Sequence, residues 1–569
     1  MRILLLCHSF NSLTQRLHVD LREAGHDVTV EFDINDAVTR EAVRLAVPDL
    51  IIAPFLKRAV PEDVFCAVPT LIVHPGPPGD RGPSALDWAI LKDQDTGGVT
   101  VLQAEQKLDG GPVWAWRTFP MRPVTKSSLY RHEVTNAAAD AVAEALARFE
   151  SGDGPLGRPG CPEVPLLGRE NPLCKISDRA IDWTVDDRDT VVRKIKSADG
   201  QPGCLASLAG RDVRVFDAHT ADGIEGEGRP GALLACSNLG SVAVAAKDGP
   251  VWIGYLREND PRALKLPAVD VLGEVAQALP VVDGRADIRY EEDDDVGYLS
   301  FDFQGGALTA GQSERLLAAY AEACTRPTRV ICLMGGADYW SNGIHLGWIE
   351  NAESPADASW RAINAIDDVA RAIITTTSHL VVSAVRGNAG AGGVFLALGA
   401  DRVIGRDGVI LNPHYKDMGN LFGSEYWTYI LPRRAGNENA AQVMAARLPM
   451  GMAEAARLGL VDEVLEGDLD TFEGALKARL RDLAGDEELP TLLEEKKARL
   501  VRDEGTKPLD DYRADELEHM KLNFYGFDPS YHVARYNFIS RVVKSRTPSS
   551  LAHHRRAQSS AAKQKGSVS

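Results

Sequence analysis

Leu71-Ile72-Val73-His74-Pro75-Gly76-Pro77-Pro78-Gly79-Asp80-Arg81-Gly82-Pro83 is an apolar run that stops at a histidine and turns into a loop of proline and glycine. Three earlier apolar runs, Ile3 to Cys7, Val28 to Phe32 and Leu50 to Ala53, alternate with segments of helical period before this one begins at Thr70. Short buried runs separated by amphipathic helices are the pattern of a parallel sheet covered on both faces, so the chain opens on a Rossmann-like α/β domain. Ligands of such sheets sit beyond the carboxyl ends of the strands, which is where His74 falls. Asp109, in Leu108-Asp109-Gly110-Gly111, lies 109 − 74 = 35 residues later, after a strand-like Gly98 to Leu102. A carboxylate that fixes the tautomer of a general acid/base histidine is a recurrent pairing, and a structural histidine with a turn-forming aspartate is the plain alternative.

The 569 residues, 44% of them hydrophobic and 25% charged, leave room for three or four globular domains. A formal charge of −18 argues against a nucleic-acid partner and means that an anionic ligand needs its own cationic site. The eight cysteines are scattered, with no CxxC pair and no His/Cys cluster at ligand spacing, as expected of buried thiols in a reducing cytoplasm with no bound metal. Met1 to Cys7 is too short for a signal segment, and no apolar run approaches membrane-spanning length.

The domain boundaries follow composition. Residues 1–165 hold the first α/β pattern and end in the Gly/Pro-rich stretch Ser151 to Pro162, read as a linker. Residues 166–281 combine one helix, Asp189 to Lys196, with short strands such as Asp212 to Phe216 and Val242 to Ala246, which suggests a small OB-like β-barrel. In residues 282–475 α/β alternation returns with strand Val296 to Asp302, helix Ala310 to Cys324 and strand Arg329 to Leu333. Residues 476–569 read as a charged helical region, with a Ser-rich, basic tail from about Thr547, much of which is expected to be disordered.

A second chemical signal sits in the third domain. Gly335-Gly336-Ala337-Asp338-Tyr339-Trp340-Ser341-Asn342-Gly343-Ile344-His345 is followed by Val385-Arg386-Gly387-Asn388-Ala389-Gly390-Ala391-Gly392-Gly393. Glycines there allow the backbone to approach a ligand, and the helix that they begin adds its positive end; close helix packing is the plain alternative.

His74-Pro75-Gly76 with Arg81-Gly82-Pro83, Thr96 to Thr100 and Leu108 to Gly111 resembles the 10-formyltetrahydrofolate-dependent formyltransferase family, and Ile181-Asp182-Trp183, Lys194-Ile195-Lys196 and Arg229-Pro230-Gly231 extend the likeness into the barrel. The resemblance implies catalytic roles for His74 and Asp109. One position departs from the family motif Asn-x-His: the Asn is replaced by Ile72, so the amide that would polarise the formyl carbonyl is missing. A thiol acceptor in place of an amine fits that loss, because thiolates are nucleophilic with little base assistance.

The two glycine-rich segments, followed by Leu448-Pro449-Met450-Gly451-Met452 through Asp462-Glu463, resemble the crotonase (enoyl-CoA hydratase) family. That resemblance implies an oxyanion hole for a thioester carbonyl made by the amides of Ile344 and Gly392. The two family glutamates that position water fall at Phe395 and near His414, which argues against hydration of a double bond. Tyr415 and Glu425, in the loop Asn412 to Tyr426, are the candidates for proton handling, with the base and the acid assignable either way.

A formyltransferase-like half, a barrel and a crotonase-like half in this order resemble the HypX/HoxX family of nickel–iron hydrogenase maturation proteins. The likeness implies formyl transfer from 10-formyltetrahydrofolate to coenzyme A and decarbonylation of formyl-CoA to CO, with maturation proteins as receivers of the CO. Gln15, Arg131, Lys196 and Ser197 early in the chain, and Arg541, Lys544, Arg546 and Arg556 near its end, are candidate contacts to coenzyme A, each readable also as an ordinary solvated side chain. Two other functions compete: an amine formyltransferase fused to an acyl-CoA hydratase or isomerase, and a non-enzymatic maturation scaffold.

Overall fold

The computed structural model describes residues 1–224, 228–260 and 262–556. They form two compact units, Met1–Arg285 together with the segment from Val543 onward, and Ala286–Val542.

The first unit opens with a six-stranded sheet of β1 (Arg2–Cys7), β2 (Asp27–Phe32), β3 (Leu50–Phe55), β4 (Thr70–His74), β5 (Thr96–Gln103) and β6 (Val113–Pro120), ordered β2-β1-β3-β4-β5-β6. The first four are parallel; β5 and β6 continue the sheet antiparallel and set Thr100 opposite His74. Leu4 and Leu6 pack against Ala42 and Val64 of two helices, Asp36–Ala46 and Glu62–Ala67. Ile3 and Leu5, on the opposite face by strand alternation, are equally buried, which is why β1 reads as an unbroken apolar run. Asn11 and Asn35 start their helices as side-chain caps, accepting from the amides of Thr14 and Val38.

Behind this domain, the strands from Cys204–Leu208 to Val281–Val282 form a mainly antiparallel seven-stranded sheet. It wraps a core that includes Val191, Val192 and Ile195 of the helix Arg188–Lys196.

The expectation of a disordered tail from Thr547 is corrected for residues 547–556. Strand β2 lies at the sheet edge, and the tail covers it: the amide of Val30 donates to the Leu551 carbonyl (3.1 Å) and that of Phe32 to Thr547 Oγ1 (2.8 Å). Glu31, wholly buried in β2, draws in His554 (3.0 Å), Arg555 (2.6 Å) and the Thr547 hydroxyl. A buried carboxylate needs such partners, and the basic composition that suggested disorder supplies them. Residues 557–569, included in the same expectation, lie outside the described residues.

The second unit is built on a sheet ordered Ile288–Asp293, Val296–Phe301, Val330–Gly335, Leu380–Val385, Arg402–Arg406 and Glu463–Leu465. The first pair is an antiparallel hairpin and every later pair is parallel. Three short parallel strands, Tyr339–Ser341, Asn388–Gly390 and Leu411–Asn412, form a separate small sheet that ties the glycine-rich segments to the Tyr415 loop. Helices Leu489–Thr506, Leu509–Tyr525 and Ser530–Ile539 follow; Leu509, Met520, Phe524 and Tyr531 join the core that contains Phe395, Tyr415 and Tyr426. No helix among the described residues is long and apolar enough to cross a membrane.

Candidate active site

Each unit holds a cluster of reactive side chains. In the first, His74 ends β4, nearly buried, with a carboxylate at each ring nitrogen. Its Nε2 is 2.9 Å from Asp80 Oδ1 and its Nδ1 is 3.7 Å from Asp109 Oδ1. Asp109 also accepts from the amide of Gly82 (3.1 Å), which ties the Leu108–Gly111 turn to the loop after His74. The loop is closed from beneath by Thr100, whose hydroxyl donates to the Gly76 carbonyl (2.8 Å). Ile72, two residues before His74 on the same face of the strand, offers no polar atom.

Asp80 was not singled out from the sequence, although it lies in the quoted motif, and neither was the segment that holds it. Residues just past the expected linker, at the start of the segment assigned to the barrel, strap the His74 loop: the amides of Leu167 and Gly168 donate to the Pro78 carbonyl, that of Arg81 to Arg169, and that of Asn171 to Arg81. The Asn171 side chain donates to Asp80 Oδ2 (3.2 Å) and accepts from Lys92 Nζ (2.7 Å). The contact is so close that a Cβ at Gly82 would lie 2.2 Å from the Asn171 carbonyl oxygen.

The candidate coenzyme contacts are dispersed. Gln15, in the first turn of the helix Ser12–Glu23, donates to the Phe10 carbonyl (2.9 Å). A hydrogen bond from Asn11 to the Tyr130 hydroxyl (3.1 Å) joins that turn to the one carrying Arg131. Lys196 donates to the Pro123 carbonyl (2.6 Å), and burial with the Arg285 charge lowers its ammonium pKa. Ser197 is wholly buried with its hydroxyl given to the Lys194 carbonyl (2.7 Å), so it offers a ligand no free proton. Lys544 lies over the Phe32 ring (5.3 Å), Arg546 is exposed, and Arg556 donates to the Ser549 carbonyl (2.6 Å). Arg541 is exposed and belongs to the second unit.

In the second unit the glycine-rich segments touch. A Cβ at Gly393 would lie 2.2 Å from the Ser341 carbonyl oxygen, and one at Gly343 would lie 3.3 Å from the Gly392 nitrogen. The peptides of Ile344 and Gly392 are thereby neighbours, and Gly392 opens the helix Gly392–Leu398, so its N–H has no partner within that helix.

Tyr415 and Glu425 meet beside them. The Tyr415 hydroxyl donates to Glu425 Oε2 at 2.5 Å and approaches the Ser424 carbonyl at 3.1 Å, and its ring stacks on Phe395 with centroids 5.4 Å apart. Both residues are buried. Desolvation, with Asp367 and Glu516 close by, pushes the Glu425 carboxyl up to about 8 against the opposing hydrogen bond from Tyr415. The same burial and the Glu425 charge push the phenol far above its ordinary range. His414 is buried too, which lowers its imidazole pKa, and its Nδ1 has no hydrogen-bond partner among the described residues.

Sequence reasoning missed Asp367, Ser424 and Glu516, which surround Glu425. A signal was there: Asp367 falls on the apolar stripe Ile363, Ile366, Ala370, Ile373 of its helix, and Glu516 on the stripe Leu509, Met520, Phe524 of another.

Comparison with known proteins agrees with this division. Residues 2–146 match the formyl transferase family model, residues 174–269 the formyl transferase C-terminal domain, and residues 303–517 the enoyl-CoA hydratase/isomerase family. The chain is 57% identical over 560 residues to the hydrogenase maturation factor HoxX of Bradyrhizobium diazoefficiens, covering 98% of this chain and 97% of that one. It superimposes with a TM-score of 0.93 at 45% identity on HypX from Aquifex aeolicus, crystallised with tetrahydrofolic acid, over 98% of this chain and 99% of that one. Methionyl-tRNA formyltransferase of Syntrophus aciditrophicus is 26% identical over 234 residues, 40% of this chain and 72% of the enzyme.

Proposed function

This chain belongs to the HypX/HoxX family of hydrogenase maturation factors, and from that premise we propose that it makes carbon monoxide in two steps, formyl transfer to coenzyme A and decarbonylation of the resulting thioester. A formyl transferase domain and a crotonase-like domain in one chain support an enzyme with two reactions.

In the first step His74 receives the proton of the thiol as sulfur bonds to the formyl carbon, and returns it to the tetrahydrofolate nitrogen as the C–N bond breaks, with Asp80 and Asp109 fixing the ring between them. The loss of an amide at Ile72 suits a thiol acceptor, which needs less assistance than an amine. Formyltetrahydrofolate is the donor by analogy with the folate-bound relative.

In the second step the Ile344 and Gly392 amides hold the formyl carbonyl oxygen. Glu425 takes the formyl hydrogen as a proton, the C–H electron pair remains on carbon as the lone pair of CO, and the C–S pair leaves with sulfur. The Tyr415–Glu425 pair then returns a proton to that sulfur, so protons and electrons balance. One observation carries this reading: a buried phenol–carboxyl pair at 2.5 Å stands beside the Gly392 peptide, while Phe395 occupies a place where a hydratase needs a carboxylate.

The test is incubation with formyl-labelled formyltetrahydrofolate and coenzyme A. Labelled formyl-CoA and labelled CO are expected from the native protein, and formyl-CoA without CO from a Tyr415→Phe, Glu425→Gln double variant. Full CO output from that variant, or turnover of crotonyl-CoA or of an amine acceptor in its place, would overturn the assignment.

A further inference from the structure

Glu425 and Tyr426 both have φ of 59°, a left-handed conformation that L-residues avoid, and the reacting carboxyl is aimed by that turn. What holds the turn is a pair of acids from two distant helices. Asp367, on the helix Pro355–Thr375, accepts from the Glu425 amide (2.8 Å) and the Ser424 hydroxyl (2.8 Å). Glu516, on the helix Leu509–Tyr525, accepts from the amides of Tyr426 (3.0 Å) and Thr428 (2.8 Å), from the Thr428 hydroxyl, and from Ser424 Oγ (3.3 Å). Tyr426 caps the helix Trp427–Ala446 without a side-chain hydrogen bond, so Glu516 caps that helix end from another helix.

Asp367, Glu425 and Glu516 are each at most 1% exposed. The cation facing them is Arg513, whose Nε lies 3.8 Å from Asp367 Oδ2 and which also pairs with Asp368 (2.6 Å); Arg371 nearby is engaged with Asp510. The other titratable neighbours are the phenols of Tyr415 and Tyr426. Burial pushes all three carboxyls upward, and the Asp367 charge adds to it at Glu425 and Glu516, so they are not all ionised at neutral pH. Donors decide which acids carry the charge: amides and hydroxyls converge on Asp367 and Glu516, whereas Glu425 accepts from Tyr415.

Building on the second step above, we propose that Asp367 and Glu516 are positioning residues: they lock the Ser424–Thr428 turn so that Glu425 lies against Gly392 and, through the Asp367 charge first and the Glu516 charge where it is ionised, strengthen it as a base. Glu425 touches substrate; Asp367 and Glu516 act through it.

The experiment titrates Glu425 directly in the full-length protein without substrate, by infrared difference spectroscopy of its carboxyl band, identified as the band lost in Glu425→Gln. In Asp367→Asn and Glu516→Gln that titration moves to lower pH by roughly one unit, as when a like charge is removed from a shared site. The rising limb of the pH profile for CO release from supplied formyl-CoA moves with it, while KM is unchanged. Ser424→Ala keeps both charges and loses the bridge, so it lowers kcat without moving the limb. Arg513→Gln keeps the turn's partners and moves the titration upward, which keeps the proposal testable if an acid variant does not fold. An unmoved Glu425 titration in folded Asp367→Asn, Glu516→Gln and Arg513→Gln overturns the inference even if native protein releases CO; a shifted titration in a protein that releases none upholds it and overturns the decarbonylase reading.

Discussion

The Glu425 carboxyl lies directly against the Gly392 α-carbon, so that a Cβ built at 392 would fall 2.0 Å from Oε1 and 2.4 Å from Cδ. The Gly392 peptide, proposed to bind the carbonyl oxygen, and the acid proposed to handle the proton are therefore packed against each other.

Gly392→Ala tests that coupling. The carboxyl is pinned by Tyr415 and by the Ser424–Thr428 turn, so the added methyl displaces Glu425 or the Gly392 peptide. CO release from formyl-CoA is expected to fall by about 10² to 10³, the usual cost of losing an oxyanion donor. Formyl-CoA formation, measured in the same protein, should be unaffected.

Glu425→Gln should stabilise the protein, and more so at high pH. The Glu425 carboxyl is raised from 4.5 to about 8, so between these values the native state holds a proton that the unfolded chain has lost. Native stability consequently falls as pH rises through that window, with the whole penalty present above about 8 and none below about 4.5. The amide variant has no such penalty, on the order of 5 kcal/mol at most for a shift of this size. Melting curves should show little difference between variant and native protein at pH 4.5 and a gain of several degrees at pH 9; an equal gain at both would remove the pH-dependent account.

At the first site, Asp80→Asn and Asp109→Asn are each expected to lower formyl transfer by roughly 10², since the imidazole loses the carboxylate that orients it. Asn171→Ala, which leaves Asp80 in place without its amide partner, should cost only a few-fold. CO release from supplied formyl-CoA should stay at the native rate in all three; a fall there would mean damage beyond the first site.

Legibility followed sequence distance. The first α/β sheet was readable because β1 to β4 are buried on both faces and so are unbroken apolar runs. Tyr415 and Glu425 share one loop and could be read as a pair. Asp80 sat inside the quoted motif without being assigned a role, because that role depends on the His74 ring folding back onto it. Asn171, 91 residues from Asp80, stands at the start of the segment assigned to the barrel, where nothing local ties it to the first site. Asp367 and Glu516 lie 58 and 90 residues from the groups they accept from, and they were visible only as acids on apolar stripes. The tail misled in the opposite sense, since serine and basic residues are as suited to satisfying a buried edge strand as to disorder.

That edge supplies the last prediction. Burial by itself would raise the Glu31 carboxyl, but hydrogen bonds from His554, Thr547 and Arg555 outweigh it and hold the group below its ordinary 4.5. A depressed carboxylate contributes stability that is present above the unfolded value and lost as pH falls through the folded one. Arg555→Gln should thus destabilise the first unit by on the order of 3 kcal/mol at pH 7, as when one partner of a buried pair is removed. The deficit should shrink below about pH 4.5, where Glu31 becomes protonated in the unfolded chain and then in the native protein. Hydrogen exchange gives a local check, because the Val30 and Phe32 amides end on Leu551 and Thr547. A chain truncated after Arg546 should lose protection at those two amides while Leu5 in the neighbouring β1 keeps its own, and unchanged protection at Val30 would show that the tail does not cover the edge.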